Sequence, residues 1–527
     1  MPTGGLLFSD YFLRSGVEDL PEWRSQHAND LNAARIALTE VIDGAVAAAS
    51  MNESETERLV IEPLFDLLGW THRLTQQNLS PTGRTDVPDY LLFGSPAQFA
   101  AAQAEPAQNR RYRQGVSFLE GKSWQVPLDR AAGGSAPSTQ MLRYLSLAEV
   151  QSDQRIRFAF LTNGRLWRLY DQKARSRAEE FLEIDLLLIA RPDLATDPDD
   201  ADRAFRLFLL FFSAAAFRAD THGKTLHERA LGESRRYEER VTKALADVVF
   251  GKVFRDLADA LRRNDSEAGS DGAYLAELRE ATLIYLYRLL FTLFAEDRKL
   301  LPTWSRQDGL TAMRGDIALH ADGRLAFSDR RANYDGDLRD LWRQINLGDD
   351  SIGLPPYNGG LFRAGRPILD RSRIPDAEFA PILDGLSRTD LALARKHINY
   401  RDLGVRHLGS VYERLLEYEL AIEHGALVQR PNPFARKTSG SYYTPDELVL
   451  LIIGRTVGPL VEERIAAFHD LPARADVATL TAHDPASAML DLTIVDPAMG
   501  SGHFLVSLVD WLADRVASGD GGRRSQP

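Results

Sequence analysis

The segment 115-GVSFLEGKSW-124 decides how this chain is read. It reads as a β-strand, in which positions i and i+2 point to the same face. Glu120 and Lys122 therefore share a face. Working outward, 86-DVPDYLLF-93 reads as a second short strand, entered through Val87-Pro88, and a hairpin would bring Asp89 beside that pair. Two carboxylates and a lysine suit metal-dependent phosphodiester cleavage. Hard oxygen ligands hold Mg²⁺, the metal stabilises charge on phosphate, and Lys122 can orient or activate the attacking water. Taken alone, Glu-x-Lys is a common solvated salt bridge, so the chemistry has to be argued from its surroundings.

Upstream, 53-ESETERLVIEPLFDLLGW-70 has helical spacing. It predicts Leu59, Leu64, Leu67 and Leu68 along one face, Ser54 as cap and Gly69 as the end. Residues 95–114 are rich in Ala and Gln, lack a strand pattern, and are expected to be a surface insertion. Gly133–Pro137 reads as a loop. A helix over 139-TQMLRYLSLAEV-150 and a strand over 155-RIRFAFLTNG-164 follow, and Asn163-Gly164 turns that strand into 166-LWRLYD-171. The region is mixed α/β. Between 108 and 130, Arg110, Arg111, Arg113, Lys122 and Arg130 outnumber Glu120 and Asp129, which fits a phosphate-facing patch or a solvated loop.

Together these residues resemble the PD-(D/E)XK nuclease fold of restriction enzymes. Pro88-Asp89 matches the PD and Glu120-Gly121-Lys122 the EXK. Glu62 matches the accessory acid of the preceding helix, and Gln140 to Tyr144 the Q-x-x-x-Y element. LTNGRLWRLYD matches the strand pair that closes the domain. The resemblance implies Asp89, Glu120, Lys122 and Gln140 as the catalytic set, with Asp89, Glu120 and Glu62 as Mg²⁺ ligands. Asp89 and Glu120 are 31 residues apart, and the insertion at 95–114 must account for that distance.

A second constellation lies in 492-LTIVDPAMGSGHFL-505, which reads as a strand, a glycine turn and a helix start. Such glycines let a cofactor approach the backbone at a helix N-terminus. Upstream, 440-GSYYTPDELVLLII-453 reads as a helix start with Thr444 as N-cap, Pro445 at the first position and Glu447 completing a capping box. In this order the two resemble motifs X and I of adenine-specific DNA methyltransferases. The resemblance implies that Tyr443, Thr444, Pro445, Asp496, Pro497, Gly500 and Gly502 bind S-adenosylmethionine. The segment 354-LPPY-357 lacks the Asn or Asp of the amino-methyltransferase loop and reads as a turn. Only 25 residues follow Gly502, with no Asn-Pro-Pro-Tyr among them, so the methyltransferase is expected to be truncated.

From about 195 to 420 the pattern is mostly helical. The stretches 286-LYRLLFTLFAEDRKLLP-302 and 407-HLGSVYERLLEYEL-420 resemble the helical connector of single-chain type IIG/IIL restriction–modification enzymes. The composition agrees with a globular, multidomain chain: 527 residues, 44% hydrophobic and 26% charged. A net charge of −12 argues against a protein that coats DNA nonspecifically, but leaves room for a local basic patch. With no cysteine, disulfides, thiolate zinc sites and a catalytic Cys are excluded. The 11 histidines show no metal-ligand spacing. The longest apolar run, Leu207 to Phe217, is 11 residues, too short to span a bilayer, and the first residues do not read as a secretory signal.

The expected fold class is α/β: a PD-(D/E)XK-like α/β domain over 1–190, a helical connector over 191–400, and the start of a Rossmann-like methyltransferase domain over 401–527. The expected protein is a cytoplasmic restriction–modification enzyme acting on double-stranded DNA. Mg²⁺ would serve cleavage and S-adenosylmethionine would serve adenine methylation in the intact enzyme. A separately encoded methyltransferase and specificity part would be its partner. The alternatives are a phage-defence methyltransferase whose nuclease-like domain only binds DNA, and a non-catalytic remnant.

Overall fold

The computed structural model describes residues 3–48, 50–80, 86–130, 136–194, 198–301, 310–357, 360–389, 396–403, 409, 415, 418–432, 444–470, 479, 484–497, 499 and 502–519. They divide into two compact units, one of residues 1–235 with 445–527 and one of residues 236–444. The architecture is mixed α/β.

The first unit is built on a seven-stranded sheet. Its strands are β1 (Thr3–Gly4), β2 (Arg73–Thr75), β3 (Tyr90–Leu92), β4 (Ser117–Gly121), β5 (Phe158–Thr162), β6 (Leu166–Asp171) and β7 (Phe181–Asp185). Their order across the sheet is β1-β7-β6-β5-β4-β3-β2. All neighbours are antiparallel except β4 and β5, which pair in parallel with Glu120 opposite Leu161. A parallel pair needs a crossover, and the helix Pro137–Gln151 lies in that connection. The expected hairpin forms: β5 and β6 pair from Phe158↔Asp171 to Thr162↔Trp167, with Gly164 at φ +82° in the turn.

Both faces of the central strands are buried, and side-chain alternation sorts them. Leu119, Phe158, Phe160, Trp167 and Leu169 enter one core with the helices Ala28–Ala47 and Pro198–Phe212. Phe118, Ala159, Leu161 and Tyr170 enter the other with Met141, Leu145 and Ala148 of the crossover helix. Residues 95–114 are not merely a surface insertion. They form helices Pro96–Ala104 and Gln108–Arg111, and Tyr112 is fully buried, its hydroxyl donating to the Gln77 carbonyl at 2.8 Å.

In the same unit the helix His503–Gly519 packs on the crossover helix. Arg177 ties the two, reaching Asp514 Oδ2 at 3.2 Å and Ser146 Oγ at 2.7 Å. The strand expected at 492–495 does not form. A strand there needs a neighbour to satisfy its backbone, and these residues have no regular secondary structure, with Leu492 and Ile494 packed inward and Val495 79% exposed.

The second unit is helical, as expected, with helices Phe254–Arg263, Gly272–Asp297, Leu310–Ala321, Asn333–Leu347 and Asp376–Ser387 among its described elements. Tyr285 and Trp342 meet edge to face at 5.0 Å. Buried Asp335 accepts from Tyr285 Oη at 2.6 Å and from Arg339 Nε at 2.9 Å, so its charge is paired. The stretch 407–420 departs from the helical expectation at its end. Tyr418–Glu423 is a strand paired with Ala426–Pro431, while most of 407–417 lies outside the described residues. No described helix is long and apolar enough to cross a membrane.

Trp167 lies at the centre of the first core, fully buried and edge-on to Phe65, Phe208 and Phe212. Trp167→Ala is expected to destabilise the first unit by about 3–5 kcal/mol, read from the shift of a denaturant midpoint.

Candidate active site

Glu120 is the fourth residue of β4, and Lys122 follows the strand's end, its N–H donating to Thr162 O at 2.8 Å so that the extended backbone continues. The shared face is real. Lys122 Nζ lies 2.5 Å from Glu120 Oε1 and 3.5 Å from Glu53 Oε1. Asp89 sits just ahead of β3 rather than inside it. Its carbonyl accepts from Gln76 N at 2.8 Å, and its Oδ2 accepts from Gly121 N at 2.7 Å. The hairpin of β3 and β4 therefore brings Asp89 to the middle residue of the Glu-Gly-Lys triplet.

The third wall is acidic and helical. Glu53–Thr56 and Glu62–Leu67 are α-helical, and between them Glu57–Ile61 make one π-helical turn, with Glu62 N–H bonded to Glu57 O. The added residue moves Glu62 into line above Glu57. Tyr90 Oη lies 3.4 Å from Glu57 Oε2 and 3.3 Å from Glu62 Oε1. The same turn rotates Leu59 out of the expected apolar face, leaving it exposed, while Val60 and Ile61 are buried. The cap is Asn52 in a capping box with Glu55, not Ser54. Such π-turns recur at functional sites.

Carboxylate oxygens of Glu53, Glu57 and Asp89 lie within 4.8 Å of one another. A divalent cation bound by oxygens at about 2.1–2.4 Å accommodates oxygen pairs up to about 4.2–4.8 Å apart, so this donor set fits one. Glu120 adds a second sign of fit. It is 2% exposed, and its Oε2 has no hydrogen-bond partner among the described residues. A buried carboxylate oxygen of that kind calls for an ion or a water. Of the residues implied by the motif resemblance, the structure brings Asp89, Glu120 and Lys122 together. Glu62 stands one step back, beside Tyr90. Gln140 donates to Tyr144 Oη at 2.8 Å, and Tyr144 lies close enough to Glu120 to feel its charge.

Crowding sets the electrostatics. Burial and then the Glu120 charge push the Asp89 carboxyl up to about 8. Burial raises Glu120 to about 7, partly opposed by Lys122. Glu57 is also raised, by burial and by Glu53. Burial works against the Lys122 ammonium, but Glu120 and Glu53 outweigh it and hold the proton. Without a cation, then, the acids retain protons that they would lose in water.

Glu53 and Glu57 were not singled out by sequence reasoning. Their i, i+4 spacing on a predicted helix ahead of the Pro-Asp strand was the available signal.

The second constellation is only partly described: Tyr443 and Gly500 lie outside the described residues. Thr444 is not the helix cap. Pro445 occupies that position before the helix Asp446–Thr456; its ring offers no side-chain cap bond, and its carbonyl accepts from Leu448 and Val449 N–H. Asp496 is half-buried and Pro497 exposed. Gly502 has φ +79°, its N–H closes a turn on Met499 O at 2.8 Å, and nothing lies within 4 Å of where a Cβ would be. The helix His503–Gly519 starts there, as the motif expects.

Over 86% of its length the chain is 24% identical to a protein of Methanocaldococcus jannaschii that is assigned by name as a type II restriction enzyme and methyltransferase. The aligned part covers 39% of that relative. No protein-family model matches the chain. No solved structure matches it either.

The sign of the pH effect follows from the raised carboxyls. Asp89 and Glu120 hold protons in the folded chain at pH values where the unfolded chain has lost them. Their contribution to stability is full below about pH 4 and is lost as pH rises through about 7 to 8. Metal-free protein is expected to lose thermal stability as pH rises from about 5 to about 8, read by calorimetry at those two values. Asp89→Asn, which can still accept from Gly121 N, should flatten that loss. A metal-free melting temperature that rises over the same window would contradict the electrostatics of this site.

Proposed function

We propose that the first unit is a Mg²⁺-dependent DNA nuclease of the PD-(D/E)XK type, within a restriction–modification enzyme. The observation that carries this reading is the convergence of Asp89, Glu57 and Glu53 beside the buried Glu120–Lys122 pair. The similarity to the M. jannaschii protein supports a restriction–modification role in general. Double-stranded DNA is the proposed substrate.

Asp89, Glu57 and Glu53 would hold the metal, and Glu120, whose Oε2 has no hydrogen-bond partner among the described residues, would be a further ligand. When bound, Mg²⁺ supplies charge stabilisation at the scissile phosphate and a more acidic water. The chain's own groups do the rest. Glu120 fixes the Lys122 ammonium at 2.5 Å, and that ammonium orients the attacking water and the phosphate oxygen. Gly121 N–H fixes the Asp89 carboxylate at 2.7 Å. On the crossover helix Gln140 holds the Tyr144 hydroxyl near the Glu120 charge. Tyr90 restrains Glu57 and Glu62, so Glu62 acts as a supporting acid in this reading.

For residues 401–527 we propose an adenine-specific methyltransferase segment, with S-adenosylmethionine at Tyr443, Thr444, Pro445, Asp496, Pro497, Gly500 and Gly502. In this segment Leu448, Leu451, Leu490, Val495 and Val509 are each about half or more exposed. The chain spans well under half of its relative's length. The proposed partner is a polypeptide supplying the remaining methyltransferase and specificity parts.

Lys122→Ala and Glu57→Gln should each lower Mg²⁺-dependent nicking of plasmid DNA by about 10²-fold or more with folding intact, whereas Glu62→Gln should lower it by about tenfold or less. Full activity of Lys122→Ala would reject the nuclease assignment. Calorimetric titration with S-adenosylmethionine should show weak binding by this chain and tight binding once the proposed partner polypeptide is supplied. Tight binding by the chain alone would reject the need for that partner.

A further inference from the structure

Asp89 is reached through a short, stiff tether. Asp86-Val87-Pro88-Asp89 leads into β3 without regular secondary structure of its own. Pro88 is buried; its ring fixes its own φ and steers Val87 to extended backbone. Few soft torsions remain between Asp86 and Asp89, so whatever holds Asp86 also sets the place of the Asp89 carboxyl. That place has to be held, because the charges of Glu120 and Glu57 both act against a charged Asp89.

The far end of the tether is anchored on two sides. Asp86 is buried, and its carboxylate accepts from Ser80 Oγ at 2.5 Å and forms an ion pair with Arg143 of the crossover helix. Its carbonyl accepts from Leu79 N at 2.7 Å. The next residue is held by the same helix: Val87 N–H donates to Tyr144 Oη, which also accepts from Gln140 Nε2 at 2.8 Å. At the near end, Gly121 N–H donates to Asp89 Oδ2 at 2.7 Å and Gln76 N–H to the Asp89 carbonyl at 2.8 Å. The segment is thus strung between the crossover helix and the Glu-Gly-Lys triplet. A buried ion pair adds little net stability once its desolvation is counted. A charge-assisted hydrogen bond does fix direction as well as distance.

We propose that Arg143 and Asp86 are positioning residues for the metal site: their ion pair, acting through the Val87-Pro88 spacer, keeps the Asp89 carboxylate within reach of Glu53 and Glu57. This rests on the nuclease reading. In it neither residue touches the metal or the DNA. Arg143 holds Asp86, the proline carries that hold along three residues, and Asp89 meets the cation at a preset place. Groups that orient a metal ligand in this way govern how tightly the metal binds.

Metal binding, measured calorimetrically with Mn²⁺ alone and no DNA, separates this role from a structural one. Arg143→Gln and Pro88→Ala should each weaken Mn²⁺ binding by about tenfold. Each should raise the Mg²⁺ concentration for half-maximal plasmid nicking by a similar factor, with little change in kcat at saturating Mg²⁺. Arg143→Lys, which keeps the charge, should recover most of the affinity. Pro88→Ala leaves the ion pair in place, so it tests the tether even if Arg143→Gln folds poorly. Arg157→Gln is the control. Arg157 makes two bonds to buried Asp171, at 2.7 and 2.8 Å, elsewhere in the same unit. Its loss should lower the melting temperature and leave Mn²⁺ affinity unchanged. If folded Arg143→Gln and Pro88→Ala bind Mn²⁺ as tightly as wild type, or if Arg157→Gln weakens binding equally, the inference fails and the nuclease reading stands. If wild type neither binds Mn²⁺ nor nicks DNA, both fail together.

Discussion

At Gly121 the fourth strand passes so close to the acidic helix that a Cβ would lie 2.9 Å from Ile61 Cδ1 and 3.4 Å from Asp89 Oδ2. That close approach is the constraint on which the site depends. It lets the helix lay Glu53 and Glu57 over the strand, and it leaves the Gly121 N–H open to Asp89. The carboxylates repel one another, so something else must hold them together. Val60, Ile61, Leu64 and Phe65 of the same helix are fully buried, each worth about 1.5–3 kcal/mol of apolar burial. Hydrophobic packing therefore sets the position of the acids, and their mutual repulsion becomes an appetite for a cation or for protons.

The same helix shows why the sequence was only partly legible. Strand geometry has a strict period of two, so the shared face of Glu120 and Lys122 could be read from spacing alone. The hairpin contact of Asp89 with that face could be argued from two adjacent strand patterns. Helical periodicity gave the existence of the acidic helix and its stop at Gly69, but it assumes one uniform winding. The π-turn at Glu57–Ile61 breaks that assumption, turning Leu59 outward and bringing Glu62 above Glu57. Which acids meet Asp89 was thus set by a winding defect that hydrophobic spacing does not encode.

The C-terminal segment illustrates a different limit. LTIV has the composition of a buried strand, yet pairing is a property of two strands, and residues 492–495 have no partner among the described elements. Their alternation survives as Leu492 and Ile494 packing against Val449, Ile453 and Leu508. The helix that follows Gly502 needs no partner for its own hydrogen bonds, and it forms. Local signals thus resolved the helix and the turn, and left the sheet, which is a long-range object, undetermined.

The covering of the sheet has a consequence for how this molecule can be divided. The face carrying Phe160 and Trp167 is sealed by the helix Pro198–Phe212, with Trp70 Nε1 donating to the Phe212 carbonyl at 2.8 Å. The opposite flank borrows Asp514 from more than three hundred residues downstream through Arg177. A fragment cut at residue 190, after the last strand, would bare an aromatic floor and aggregate. One extended through Phe217 would keep that floor covered and lose only the downstream strut. Shuffling of this sheet-bearing unit between larger proteins is therefore constrained to breakpoints beyond the covering helix, not at the edge of the sheet.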